Sequence, residues 1–120
     1  MRGLKIVLLS ADPERLRGAL ASAAAYAAMG GDAHIFFQMD AATLLADLSA
    51  PRDKAHAQAG MPTLATLMDD ALTLGVTLTA CQSGLTLAGI DAVALDPRVT
   101  IGGTVSFLQS VTDEDRLLFV

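Results

Sequence analysis

The sequence predicts a single α/β domain built on a doubly wound, mostly parallel five-stranded sheet with helices on both faces. Three observations carry that prediction. Short apolar runs alternate with helical patterns along the whole chain, as repeated strand–crossover–strand units require, and such crossovers are right-handed. Hydrophobic residues make up 52% of the chain and mean hydropathy is +0.48, which suits strands buried on both faces. The length, 120 residues, supports one hydrophobic core, so one domain is expected over 1–120.

Leu4 to Leu9 is a near-continuous apolar run and reads as a buried parallel strand. Ser10-Ala11-Asp12-Pro13-Glu14 then opens a helix: Asp12 can accept from the free amides of the first turn, and Pro13 suits the first helical position. Leu16, Leu20, Ala23 and Ala27 give this helix one apolar face, and Gly30-Gly31 ends it. Ala33 to Gln38 reads as the second strand, and Asp40 could cap a short helix over Ala41 to Leu48. Ser49 to Gly60 carries Pro51, Arg52, Asp53, Lys54 and His56 among small residues and reads as a mobile loop. Pro62-Thr63 opens a helix with Leu64, Leu67, Met68 and Ala71 on its inner face, closed by Gly75. Val76 to Ala80 is the third strand and delivers Cys81; Gln82-Ser83-Gly84-Leu85 begins a turn or short helix. Val99 to Ile101, Thr104 to Ser110 and Arg116 to Val120 complete the pattern as strand, short helix and strand.

Composition narrows the function classes. A formal charge of -5, 4% aromatic residues and no Trp speak against a nucleic-acid surface. No apolar stretch is long enough for a membrane span, and the run Ile6 to Leu9 is too short for a signal-peptide core. One cysteine cannot staple its own chain, so a reducing, cytoplasmic location is expected. Two histidines and that cysteine, far apart in sequence, give no metal-ligand spacing, and no cofactor is expected. His34 lies inside a strand and reads as structural.

In open parallel sheets ligands bind outside the carboxyl ends of the strands. Ser10 to Asp12, Met39 to Asp40, Cys81 to Gly84 and Gly102-Gly103 fall there. Cys81 is the strong nucleophile of this set. A thiol facing the free amides of a following helix feels positive potential, which favours the reactive thiolate. The alternative is a small buried hydrophobe, the usual state of a free cysteine. Around it, the amides near Gln82 to Gly84 and the Ser83 hydroxyl would hold an anion. Ser10, Asp12 and Met39 are further candidates by position, although Asp12 is first a helix cap. Arg52, Lys54 and His56 form a solvated charge cluster, unless their loop folds over the Cys81 cleft and supplies cations. Familiar sites fail. The first loop is acidic rather than phosphate-binding, no arginine follows Cys81 to hold an oxyanion, and there is no CxxC pair.

The segment Gly75-Val76-Thr77-Leu78-Thr79-Ala80-Cys81-Gln82-Ser83-Gly84-Leu85-Thr86-Leu87-Ala88-Gly89-Ile90 resembles the cysteine segment of the DsrE/DsrF-like superfamily, nearest its predicted peroxiredoxin-like branch. Phe36-Phe37, Gly102-Gly103 and the closing Leu117-Leu118-Phe119 extend the likeness over nearly the whole chain. The resemblance implies a flavodoxin-like sheet, homo-oligomers (trimers or hexamers), and a cysteine that receives and donates sulfur as a persulfide, a role that maps onto Cys81. It implies sulfur donor and acceptor proteins or small thiols as partners. Some relatives carry additional cysteines and this chain has none, so a peroxidase cycle would need a resolving thiol from another molecule. The expectation is therefore a sulfur carrier or sulfurtransferase acting through Cys81. The alternative is a non-catalytic oligomeric binding or scaffold subunit of the same fold. A third reading, a flavodoxin-type nucleotide-binding domain, is weakened by the acidic first loop.

Overall fold

The computed structural model describes residues 1–48 and 50–120. In chain order the elements are β1 (Gly3–Leu8), α1 (Pro13–Ala28), β2 (Ala33–Phe37), a 3-10 helix (Met39–Leu45), α2 (Asp53–Gln58), α3 (Leu64–Thr73), β3 (Thr77–Cys81), α4 (Gln82–Ala88), a 3-10 turn (Ala92–Ala94), β4 (Thr100–Gly102), α5 (Thr104–Ser110) and β5 (Asp115–Phe119). The strands form one sheet in the order β4-β3-β2-β1-β5, and every pairing is parallel. The sheet is thus wholly rather than mostly parallel. The chain steps from β1 to β4 in one direction, then returns past β1 to place β5 on its far side. Right-handed crossovers put the helices of the outward steps on one face and α5 on the other, which is the doubly wound, flavodoxin-like arrangement.

Register decides which side chains share a face. Lys5 lies opposite His34 and Leu117, and His34 opposite Thr77. Phe36 pairs with Val7 and Thr79, and Cys81 with Gly102. Partners in parallel strands point the same way, and neighbours along a strand point oppositely. Phe107 of α5 stacks on Phe36 with centroids 4.8 Å apart and meets His34 edge-on at 5.0 Å, so α5 covers the face that carries His34, Phe36 and Thr79. On the opposite face Leu16, Leu20 and Ala23 of α1 and Leu64, Met68 and Ala71 of α3 are buried with Ile6, Leu8, Ile35 and Leu78. The alanines let α1 and α3 pack against each other.

Helix ends follow the sequence where the chemistry is local. Asp12 flanks α1, and its Oδ1 accepts from the Glu14 amide at 2.9 Å with Pro13 in the first turn. Thr63 caps α3 by accepting from the Thr66 amide. Two expectations fail where tertiary contacts decide. The short helix thought to start behind an Asp40 cap is a 3-10 helix beginning at Met39, with Asp40 inside it. Its three-residue repeat buries Ala41 with Leu44 and Ala42 with Leu45. The expected mobile loop contains α2; Ser49, at its start, lies outside the described residues. α2 buries no residue of its own. It is held to α1 by ions: Arg17 Nη2 donates to Asp53 Oδ1 at 2.6 Å, and Arg52 and His56 reach Glu14 at 3.3 and 3.1 Å.

Candidate functional site

Cys81 ends β3 and stands as the residue flanking the first turn of α4, with extended backbone (φ -69°, ψ 118°). Its side chain makes no capping hydrogen bond. It shares a face with Thr77, Thr79 and Gly102, on the side that α5 covers. The thiol is 2% exposed. The strand-end position is as expected, and of the two states weighed for this cysteine the burial is that of the small enclosed hydrophobe.

The turn that follows β3 is held by a close backbone approach. The 3-10 helix leans on both β3 and α4. Met39, at its start, has φ +50°, a left-handed conformation that a non-glycine residue holds at a cost of about 1–3 kcal/mol. A Cβ on Gly84 would overlap the Met39 carbonyl oxygen, so glycine is required for α4 to approach this closely. Met39 and Gly84, two expected site residues, are therefore brought together at the first turn of α4, the helix that Cys81 precedes. Gln82 and Ser83 are exposed on the first turn of α4, and Gln82 Nε2 donates to Thr86 Oγ1 at 3.1 Å.

The other expected site residues are not gathered there. Ser10 and Asp12 follow β1, which β2 separates from β3. Asp12 is occupied as the α1 cap and lies 3.9 Å from Arg15. Ser10 Oγ is buried and makes no hydrogen bond among the described residues. Arg52 and His56 bind Glu14 rather than the thiol, and Arg17 ties α1 to Asp53 and to the Pro62 carbonyl. The proposed cationic cover over Cys81 is thus corrected: these cations hold α2 against α1.

Sequence reading missed a polar relay one step below Cys81 on the same face. His34 Nε2 lies 2.8 Å from Thr79 Oγ1, which lies 2.6 Å from Thr100 Oγ1, which donates to the Leu78 carbonyl at 3.2 Å. Burial, then the nearby Lys5 charge, push the His34 imidazole down from 6.5 to about 4. The alternation Thr77, Thr79 beside His34 was the available signal.

Cys81 lines neither of two surface cavities. One, about 230 Å3, lies at the amino-terminal edge of the sheet around Lys5, His34 and Thr77. The other, about 360 Å3, runs between α1 and the edge strand β5 along Ile6, Gly18, Ala19 and Leu118. Among the described residues no group of three or more His, Cys, Asp or Glu is placed to hold a metal ion, and no helix is long and apolar enough to cross a membrane.

A wholly parallel α/β sheet carrying its lone thiol at the carboxyl end of an inner strand defines the class: a flavodoxin-like domain with a candidate cysteine site. The chain belongs to the DsrE/DsrF-like family, whose model matches residues 4–120. Its fold is similar to the crystal structure of the YchN protein from E. coli, with TM-score 0.73 and 19% identity over 100% of both chains. It is also similar to BT1422, a conserved protein of unknown function from Bacteroides thetaiotaomicron, with TM-score 0.64 and 14% identity over 98% of this chain and 94% of that one. No curated protein matches the chain.

Proposed function

We propose that this protein is a cytoplasmic sulfur carrier or sulfurtransferase that holds a persulfide on Cys81 and passes it to an acceptor thiol. The observation that carries this reading is the place of Cys81, at the carboxyl end of β3 and the head of α4, in a family associated with sulfur relay. The Cys81 thiolate attacks the outer sulfur of a donor persulfide. A new S–S bond forms on Cys81, the donor S–S bond breaks, and the donor leaves as a thiolate. An acceptor thiolate then attacks the outer sulfur on Cys81, which departs as a thiolate in turn. No net oxidation occurs. Amides of the first turn of α4, with Gln82 and Ser83 exposed beside them, are the groups near enough in sequence to steady the anion. Because the thiol is 2% exposed, transfer requires a local opening around it. Donor and acceptor proteins or small thiols are the partners. Exposed Val105, Leu108, Leu118 and Phe119 support a homo-oligomer, and the trimer or hexamer is what the family resemblance implies.

Incubation with a persulfide donor and intact-mass measurement tests the reading. One added sulfur on the native protein and none on Cys81→Ala is expected. An unloaded native protein, or equal loading of the variant, overturns it.

The burial of Cys81 favours a second reading, a non-catalytic binding or scaffold subunit in which the cysteine is a packing residue. A thiol that resists alkylation in the folded protein and never loads sulfur selects this reading.

A further inference from the structure

The cavity at the amino-terminal edge of the sheet lies at the opposite end of the strands from Cys81. Its floor is a row of side chains in register, Lys5 on β1, His34 on β2 and Thr77 on β3, with Gly3 and Gly75 beside them and Asp32 and Asp115 at the rim. Lys5 is out of place by the logic of the fold. A central strand of a parallel sheet is normally apolar, yet this half-buried lysine stands between β2 and β5. Among the described residues its ammonium has no ion-pair partner, so its partial desolvation is uncompensated.

The rim offers the opposite charge. Asp115 Oδ2 accepts from the Thr112 amide at 2.8 Å. Its Oδ1 lies over the Cα of Gly3, where any side chain would displace it, and makes no hydrogen bond among the described residues. Asp32 is exposed. His34 turns Nε2 to Thr79, and among the described residues its Nδ1 makes no hydrogen bond. Its neutrality at ordinary pH leaves Lys5 as the cation of the floor. A simple anion would meet two carboxylates on a chain of charge -5, and a simple cation would meet Lys5. A cavity of about 230 Å3 suits a ligand below drug size.

We propose that this cavity binds a small zwitterion of the amino-acid class, with its carboxylate toward Lys5 and Thr77 and its ammonium toward Asp32 and Asp115. The site is separate from sulfur chemistry at Cys81 and stands whether or not that reading holds.

Glycine, β-alanine and γ-aminobutyrate, which differ in the spacing of their charges, are titrated into the full-length protein while the His34 imidazole resonances are followed by NMR. Acetate and ethylamine serve as single-charge controls. At least one zwitterion is expected to give a saturable His34 shift, with the controls weaker by about ten-fold. Lys5→Gln abolishes the shift, and Asp32→Asn, a surface change that leaves folding intact, weakens binding by about ten-fold. Sulfur loading of Cys81 is unchanged in Asp32→Asn. Absence of a saturable shift with all three zwitterions, equal binding of acetate or ethylamine, or native affinity in both variants overturns the proposal.

Discussion

The carbonyl oxygen of Met39 occupies the space in which a side chain on Gly84 would stand. Neither partner yields easily, because one is backbone in a left-handed corner and the other is helical backbone seated on β3. Gly84→Ala is expected to destabilise the protein by about 1–3 kcal/mol, as overpacking does. Gly18→Ala is the control. A Cβ there meets nothing within 4 Å, and Gly18 is exposed in the middle of α1, so the change should stabilise by about 0.5–1 kcal/mol. Urea unfolding of both variants checks the pair. A neutral Gly84→Ala would mean that α4 and the 3-10 helix are not in contact.

His34 makes stability depend on pH. Its imidazole titrates near 6.5 when unfolded and near 4 in the fold, because burial and the neighbouring Lys5 disfavour the charged form. Between those values the unfolded chain binds more protons. Stability from this residue is therefore complete above about pH 6.5 and drains as pH falls toward 4. Partial solvent screening reduces the effect to about 1–2 kcal/mol. Unfolding free energies measured across that range should slope for the native protein and flatten in His34→Gln. An equal slope in the variant would place the titration elsewhere than His34.

The sequence was most legible where causes are local. The strand runs, the Asp12 cap, the Gly30 stop and the Thr63 cap all rest on residues within a few positions of one another. The site was legible in position only. Placing Cys81 at a strand end needs periodicity alone, but its burial is a tertiary outcome, and the turn that follows it is seated by Met39 folding back onto Gly84, 45 residues later. That contact leaves no pattern in either segment beyond a glycine and a methionine. The α2 segment failed for a related reason. Its polar residues read as solvated because their partners, Glu14 and Arg17, lie on another helix. The Lys5 row was hidden because register is set by pairing across three strands.

Docking of α2 on α1 hangs on Asp53. Its Oδ1 accepts from the Leu64 amide at 3.0 Å and from Arg17 at 2.6 Å. Those two contacts, the amide first, hold its carboxyl below the ordinary 3.8. The contribution is present above pH 3.8 and is lost as the pH falls through the lower folded value. Asp53→Ala should free the segment that carries Arg52 and Lys54, both trypsin sites. Cleavage there at neutral pH is expected to quicken by about ten-fold while the rest of the fold persists. An unchanged cleavage rate would show that Arg52 and His56 on Glu14 suffice to hold α2.

The enclosed thiol makes two substitutions at Cys81 unequal, and the difference measures its surroundings. Cys81→Ala removes a sulfur atom from a site with Gly102 as its register partner and leaves a small void; about 1 kcal/mol is expected. Cys81→Ser keeps the volume but brings in a hydroxyl where the thiol made no capping bond, at a cost of about 1–3 kcal/mol. Alanine is therefore the cleaner control for sulfur loading. Access to the thiol is then read from alkylation. With 2% exposure, iodoacetamide should label the folded protein about a hundred-fold more slowly than the unfolded one, through local opening. Gly84→Ala, which wedges α4 away from Met39, should speed labelling by more than its global destabilisation explains. If labelling instead tracks global unfolding alone, no local opening at the Met39 corner serves Cys81, and sulfur could reach it only by unfolding the domain.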